Sequence, residues 1–469
     1  MNTYRNTLAA LFVLLVLAGC KVSKDTALPI KAIPEKFRDA QGQDSLSIAD
    51  QTIKDFFKEE ELRNLVDTAL VRNYDLQIAL KNMESAQQLL KQSKLGNIPQ
   101  VDLQITGSSN RPSDNSLNGL STSQFLKTTH VEDFNANVGL RWEADIWGKI
   151  KGEKQAALAT YLQTEEAKKA IQTQLIASVA QGYYRLLMMD AQIAIAKKNL
   201  ALSDSTLRII HLQFDAGQVT SLAIQQAKAQ QLVAAQLIPK FEQDITIQEN
   251  ALRVLTGRLP GSVDRLASLE KSDVISQVSA GYPTAMVSRR PDVKSAELSL
   301  NIANAKVGIA KASLYPSLSI TASAGLNSFK ASNWFNIPAS LFGVVAGGIT
   351  QPLLQGRQLK TQYEVAKIER EKTVIQFRQS VLNAVAEVSD ELVKIEKLKQ
   401  QYDISKDKVN TLQQAVRNAN LLFKSGMANY LEVITAQSNS LQSELELTTI
   451  KTAQLNARVE LYRALGGGL

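Results

Sequence analysis

The chain has 469 residues, 44% hydrophobic and 21% charged, and its 53 basic and 45 acidic side chains leave a net charge of +8. With only 23 glycines and 11 prolines it is neither collagen-like nor low-complexity nor disordered, and no internal apolar run reaches the ~18 residues of a membrane-spanning helix. One cysteine and two histidines exclude a disulfide framework and a multi-cysteine metal site, and the interspersed charges read as a solvated helical surface rather than a nucleic-acid patch.

At the N-terminus Arg5 precedes an apolar stretch, 8–17, and then Leu17-Ala18-Gly19-Cys20. The stretch is too short to span a bilayer and suits a secretory leader. Leu-Ala-Gly-Cys resembles the bacterial lipobox. That likeness implies cleavage after residue 19, lipid on the thiol of Cys20 and a further acyl chain on its new amine. Several chains anchor far more firmly than one, at ~0.8 kcal/mol per buried methylene. Lys21 follows the cysteine where an Asp would favour inner-membrane retention, so the resemblance implies the outer membrane. The expected organisation begins with a leader at 1–19 and a lipidated arm at 20–60.

Next come a helix and strand-like segments. Residues 101–109 begin with Val101, Leu103 and Ile105 against Asp102, Gln104 and Thr106. Residues 135–145 set Ala136, Val138, Leu140, Trp142 and Ala144 against Asn137, Gly139, Arg141, Glu143 and Asp145. Residues 317–326 alternate likewise, while 341–351 is strand-like but ambiguous in phase. Segments of about ten residues match tilted outer-membrane strands, with Trp142, Trp334, Phe335 and Phe342 as candidate interfacial aromatics. The same alternation also fits a soluble sheet with one face on a core. Four strands cannot close a transmembrane barrel, so membrane strands would have to be pooled. A dimer would supply eight and a trimer twelve.

Long helices follow each strand pair. Residues 113–238 and 353–469 lack proline, and 357–425 lacks glycine as well. In the latter tract Val374, Phe377, Val381, Val385, Val388, Leu392, Ile395, Leu398 and Tyr402 recur at steps of three and four, one seam of a helix. Helices over 357–425 and 149–216 would each run roughly 100 Å. Gly217 and Gly426 suit helix C-caps; Thr220 or Ser221, and Asn429, can cap the returning helices. Two helical hairpins are expected, with tips at 215–221 and 424–430.

The chain also repeats itself. Arg72-Asn73-Tyr74-Asp75-Leu76 returns as Arg289-Arg290-Pro291-Asp292-Val293, an offset of 217. Phe214-Asp215-Ala216-Gly217 returns as Phe423-Lys424-Ser425-Gly426, an offset of 209. Two repeats, 61–276 and 277–469, are expected.

Together these features resemble the TolC-like outer-membrane efflux family, in its OprM-like (NodT-type) lipoprotein branch. The resemblance covers essentially the whole chain. It rests on Leu-Ala-Gly-Cys, Ala69-Leu70…Asn73-Tyr74-Asp75-Leu76, Asp145-Ile146-Trp147-Gly148-Lys149, Arg289-Arg290-Pro291-Asp292, Tyr315-Pro316 and Gly426-Met427-Ala428-Asn429-Tyr430-Leu431. It implies a mainly α fold, a long α-helical barrel plus four strands per chain, with a twelve-stranded barrel formed by a homotrimer. It implies a passive exit duct that carries small molecules across the outer membrane, with its helices in the periplasm. A periplasmic adaptor and an inner-membrane pump of the RND type are the implied partners. Adaptor contact falls on Gly217, Gln218, Val219, Thr220, Gly426, Met427, Ala428 and Asn429. Aperture positions carry over as Phe423 and Leu431; some members have an Asp where this chain has Thr435, so closure by packing rather than by an acidic ring is expected.

No catalytic set is found. His130 and His211 have no metal-ligand spacing, and there is no P-loop, nucleophile elbow or dinucleotide fingerprint. Carboxylates such as Glu387, Asp390 and Glu391 read as solvated surface or tunnel lining. The expectation is no enzyme, no cofactor beyond the lipid on Cys20, and no nucleic-acid partner. Readings of other classes are a coiled-coil lipoprotein tether with a soluble sheet, a periplasmic enzyme, and an exit duct for type I protein secretion.

Overall fold

The computed structural model describes residue 37, residues 47–272, residue 281 and residues 283–468. Cys20, the leader, most of the arm and the junction at 276–277 lie outside the described residues. The main elements in order are α1 (Glu60–Arg72), α2 (Tyr74–Lys94), β1 (Gln100–Asn110), β2 (Val131–Ala144), α3 (Lys149–Asp215), α4 (Ser221–Leu255), α5 (Pro283–Arg289), α6 (Pro291–Ala312), β3 (Ser317–Ser328), β4 (Leu341–Thr350), α7 (Gln358–Lys424) and α8 (Tyr430–Ala464). The order helix, helix, strand, strand, long helix, helix thus occurs twice. Helices α3 and α7 both have 67 residues, and α4 and α8 both have 35. The two longest coincide with the proline-free tracts, where no residue removes an amide donor; α7 has no glycine either, whereas α3 accommodates Gly152 and Gly182.

Two compact units emerge, each assembled from separated stretches. Of the described residues, one takes in 85–162 and 298–375; the other takes in the rest. The first contains the sheet, a fully antiparallel meander in the order β1-β2-β3-β4. Strand β2 starts at Val131, four residues before the alternation in the sequence begins, because Val131 still pairs with Asn110 of β1.

The second unit holds the main apolar core. Phe57, Leu62, Tyr183, Leu186, Leu187, Leu252, Met286, Leu461 and Leu465 are buried within it. The seam along α7 contributes Phe377 and Val388 as buried members, with Val381, Val385, Leu392 and Ile395 packed against them. Phe56 stacks on Tyr462 with ring centroids 4.1 Å apart.

Two equivalent clasps close this core. Asn73, at the cap of α2, donates from Nδ2 to the carbonyl of Leu255, the last residue of α4, at 3.0 Å. Its counterpart Arg290 donates from a guanidinium nitrogen to the carbonyl of Ala464, the last residue of α8, at 2.8 Å. The motif pair noticed at an offset of 217 therefore has one mechanical task, satisfying a helix-end carbonyl. Each helix then turns through a left-handed glycine, Gly257 (φ +65°) and Gly466 (φ +81°). A Cβ on Gly257 would lie 2.5 Å from the carbonyl oxygen of Arg72, a backbone atom with no freedom to yield. Gly217 has a similar φ of +73° but open space around it. Gly257→Ala is therefore expected to lower the melting temperature more than Gly217→Ala, which suffers only the left-handed penalty of about 1–2 kcal/mol. Equal shifts would contradict the close approach.

Candidate functional site

Two regions carry the expected functional residues, the sheet and the helical tips. In the sheet, cross-strand pairs place Val101, Leu140, Ala322 and Val345 in one row, and Ile105, Ala136, Leu326 and Leu341 in another on the same face. The opposite face carries Asp102, Gln104, Asn137, Arg141, Glu143, Ser319, Thr321 and Ser323. This is the division of a membrane strand, apolar outward and polar inward. The register also settles the phase of β4: Leu341, Val345 and Ile349 join the apolar face. Phe342 pairs with Gly325 and so lies on the polar face, which corrects its reading as an interfacial aromatic.

Other aromatics border the apolar face. Phe134 and Trp334 have centroids 5.5 Å apart, and Trp334 and Phe335 5.1 Å. Trp142 lies further along β2 and donates to the carbonyl of Asn97 at 3.0 Å. From Phe134 to Trp142 the strand rises about 27 Å, which at a tilt of ~40° spans about 21 Å of the ~25 Å apolar band of outer-membrane barrels. Beyond it, Asp145 accepts from the amides of Ile150 and Lys151 at 3.0 and 2.9 Å, capping α3 with a negative charge. Trp147 donates to the carbonyl of Pro316 at 2.7 Å and stacks on Tyr315. The Asp-Ile-Trp-Gly-Lys and Tyr-Pro motifs are thus one junction.

Both outer strands have a free edge. Among the described residues strand β1 pairs only with β2, and β4 only with β3; β1 is exposed throughout and β4 almost throughout. Such edges do not persist in hydrocarbon.

The tips are built alike. In α3 the amide of Gly217 bonds to the carbonyl of Phe214 at 2.8 Å and that of Gln218 to Gln213 at 2.8 Å. In α7 Gly426 bonds to Phe423 at 3.2 Å and Met427 to Leu422 at 2.8 Å. Both are Schellman caps, which require the left-handed glycine. At the returning helices the pair diverges. Asn429 accepts from the amide of Glu432 at 3.0 Å, whereas Thr220 occupies the cap position with no side-chain bond. Ile210, Ala223, Ala227, Phe423 and Val433 form a buried cluster that joins the two hairpins. Phe423 is 3% exposed there, so its ring holds the tips together and is not available to line an opening. Its counterpart Phe214 is exposed, as are Leu431, Thr435 and the turn residues Gly217, Gln218, Thr220, Gly426, Met427 and Asn429; Val219 and Ala428 are half-buried. Away from the tips, buried Gln437 donates to Thr206 at 2.9 Å, between α8 and α3.

An ion network centred on buried Arg290 is not apparent from the sequence. Arg290 pairs with Asp292 at 2.8 Å and Glu387 at 2.7 Å, and Arg463 also bonds to Glu387. Glu387 is therefore a structural link between α7 and the clasp, which corrects its reading as solvated surface or tunnel lining. Burial opposes ionisation of Asp292, but the hydrogen bonds and charge of Arg290 outweigh it and hold the carboxyl below its ordinary range. The only hint in the sequence was the recurrence of the Arg-Arg-Pro-Asp motif.

With this geometry in hand, the family model of the outer membrane efflux protein matches residues 65–258 and 283–467. The chain belongs to that family. It is 31% identical over 470 residues to the solvent efflux pump outer membrane protein SrpC of Pseudomonas putida, covering 98% of this chain and 97% of SrpC. It is 27% identical over 462 residues to the cation efflux system protein CusC of Escherichia coli, covering 97% of each. A crystal structure of CusC superposes with a TM-score of 0.84 at 25% identity, over 96% of this chain and 100% of that one. The family member is thus an outer-membrane channel with its helical part in the periplasm, the barrel closed by the strands of three chains. The family is one of efflux ducts rather than enzymes, and the tether and protein-secretion readings give way to it.

The caps supply a test. Asn429→Ala should cost about 1 kcal/mol, and Thr220→Ala much less because its hydroxyl caps nothing. Denaturant midpoints of the two variants check this, and equal losses would contradict the asymmetry.

Proposed function

We propose that this chain is the exit duct of a tripartite efflux system driven by an RND-type inner-membrane pump, and that it passes small organic molecules to the exterior. The carrying observation is the four-stranded sheet, apolar on one face, polar on the other and open at both edges. That combination is useful only where copies pool their strands around a wet lumen. The organic substrate class draws support from SrpC, a solvent efflux component, against CusC, a cation efflux component.

In this reading residues 1–19 are the leader, Cys20 carries the lipid that anchors the arm 20–60, and repeats 61–276 and 277–469 supply the duct. Equal helix lengths and the matching clasps support the repeats. The adaptor meets Gly217, Gln218, Val219 and Thr220 and their counterparts Gly426, Met427, Ala428 and Asn429. Exposed leucines precede both turns at matching places, Leu212 and Leu421, giving a partner helix apolar surface to cover. Leu431 and Thr435, both exposed, are the aperture positions, and with no acidic ring the opening is closed by packing. No cofactor is required. Energy comes from the pump, since the duct has no coupling machinery of its own.

The test is conductance of the purified protein in a planar bilayer. Discrete steps are expected, with a larger conductance from Leu431→Ala. Unchanged conductance in that variant would overturn the aperture assignment, and no conductance from either protein would overturn the duct.

A further inference from the structure

The register of the sheet exposes a run on β4 that does not match its neighbours. On β1, β2 and β3 the polar face carries Gln100, Asp102, Gln104, Asn137, Arg141, Ser319, Thr321 and Ser323. On β4 the same face carries Phe342, Val344 and Ala346, paired with Gly325, Ser323 and Thr321. Val344 is 55% exposed. The other face of β4 is apolar as well, with Leu341, Val345 and Ile349. A membrane strand needs apolar side chains on the lipid side alone. The second apolar run is therefore not explained by insertion.

Its surroundings carry a small excess of negative charge. Asp102, Asp133 and Glu143 stand on the polar face of the strands with Arg141, and Lys149 pairs with Glu143 at 3.2 Å, which leaves Asp102 and Asp133 against one guanidinium. When the open edges close, β4 of one copy lies against β1 of the next, which brings Asp102 of that copy to the same side as the apolar run. An apolar strip on a wall whose carboxylates outnumber its cations complements a solute with an apolar body and a positive charge.

We propose that Phe342, Val344 and Ala346 form a solute track on the lumen wall, three per trimer, that favours amphiphilic organic cations. The track rests on the duct reading and names its substrate class. It extends about 13 Å along the strand, enough for one small organic molecule. With half of the solute still in water, association is weak and brief, as conduction requires.

The experiment uses Val344→Cys, Asn137→Cys and Val345→Cys trimers in outer-membrane vesicles, labelled with a membrane-impermeant anionic thiosulfonate reagent. The unsubstituted protein, whose one cysteine is Cys20, sets the background. Trimer mass is checked for each variant. Labelling is expected at 344 and 137 and not at 345. Tetrapentylammonium should slow labelling at 344 at least threefold and leave 137 unchanged, while tetramethylammonium and pentanesulfonate should affect neither. Equal slowing at both sites, or none, would overturn the track; equal protection by pentanesulfonate would overturn the preference for cations. Labelling of 137 without 344 would mean that a segment of a neighbouring copy covers the run, which also overturns it. No labelling at 137 or 344 would mean a dry polar face, and that result overturns the duct itself.

Discussion

In hydrocarbon an unpaired backbone amide or carbonyl costs several kcal/mol, because no water is present to replace its partner. Strands β1 and β4 each leave one row of such groups open. Everything else in the sheet assumes that these rows are closed by another copy: the apolar face, its aromatic border, and the exposure of β1 and β4 in a single chain. Four strands per chain fall short of any transmembrane barrel, and the trimer supplies twelve.

The helical part meets its own version of the same requirement. A helix end leaves carbonyls without intrahelical partners, and the chain satisfies them with one device used twice. Asn73 serves α4 and Arg290 serves α8. The two versions differ in chemistry. Asn73 is neutral and acts alone, while Arg290 brings a charge that Asp292 and Glu387 must balance. The second repeat thereby ties its helix end to α7 as well. The tips diverge in the same way: the Schellman turns are equivalent, yet only Asn429 adds a side-chain cap, and Phe423 is buried where Phe214 is exposed.

What was legible in the sequence follows from which signals are local. The extents of α3 and α7 were readable because proline and glycine mark them off, and the tips because a C-cap glycine is followed by a capping residue. Strands β1, β2 and β3 declared their faces through period-two alternation. Strand β4 did not, since both its faces are apolar, and only the pairing of Phe342 with Gly325 orients it. Glu387 was misread because its partners Arg290 and Arg463 are far away in the chain and nothing in its own helix announces them. Burial of Phe423 was illegible for the same reason, as its neighbours come from α3, α4 and α8.

The most direct measurement is the native mass of the protein extracted from the outer membrane in detergent. Closure of the open strand edges by pooled copies calls for a particle of three chains that persists when the detergent is diluted to its working limit. A particle of one chain, or a stable particle of two, would contradict it.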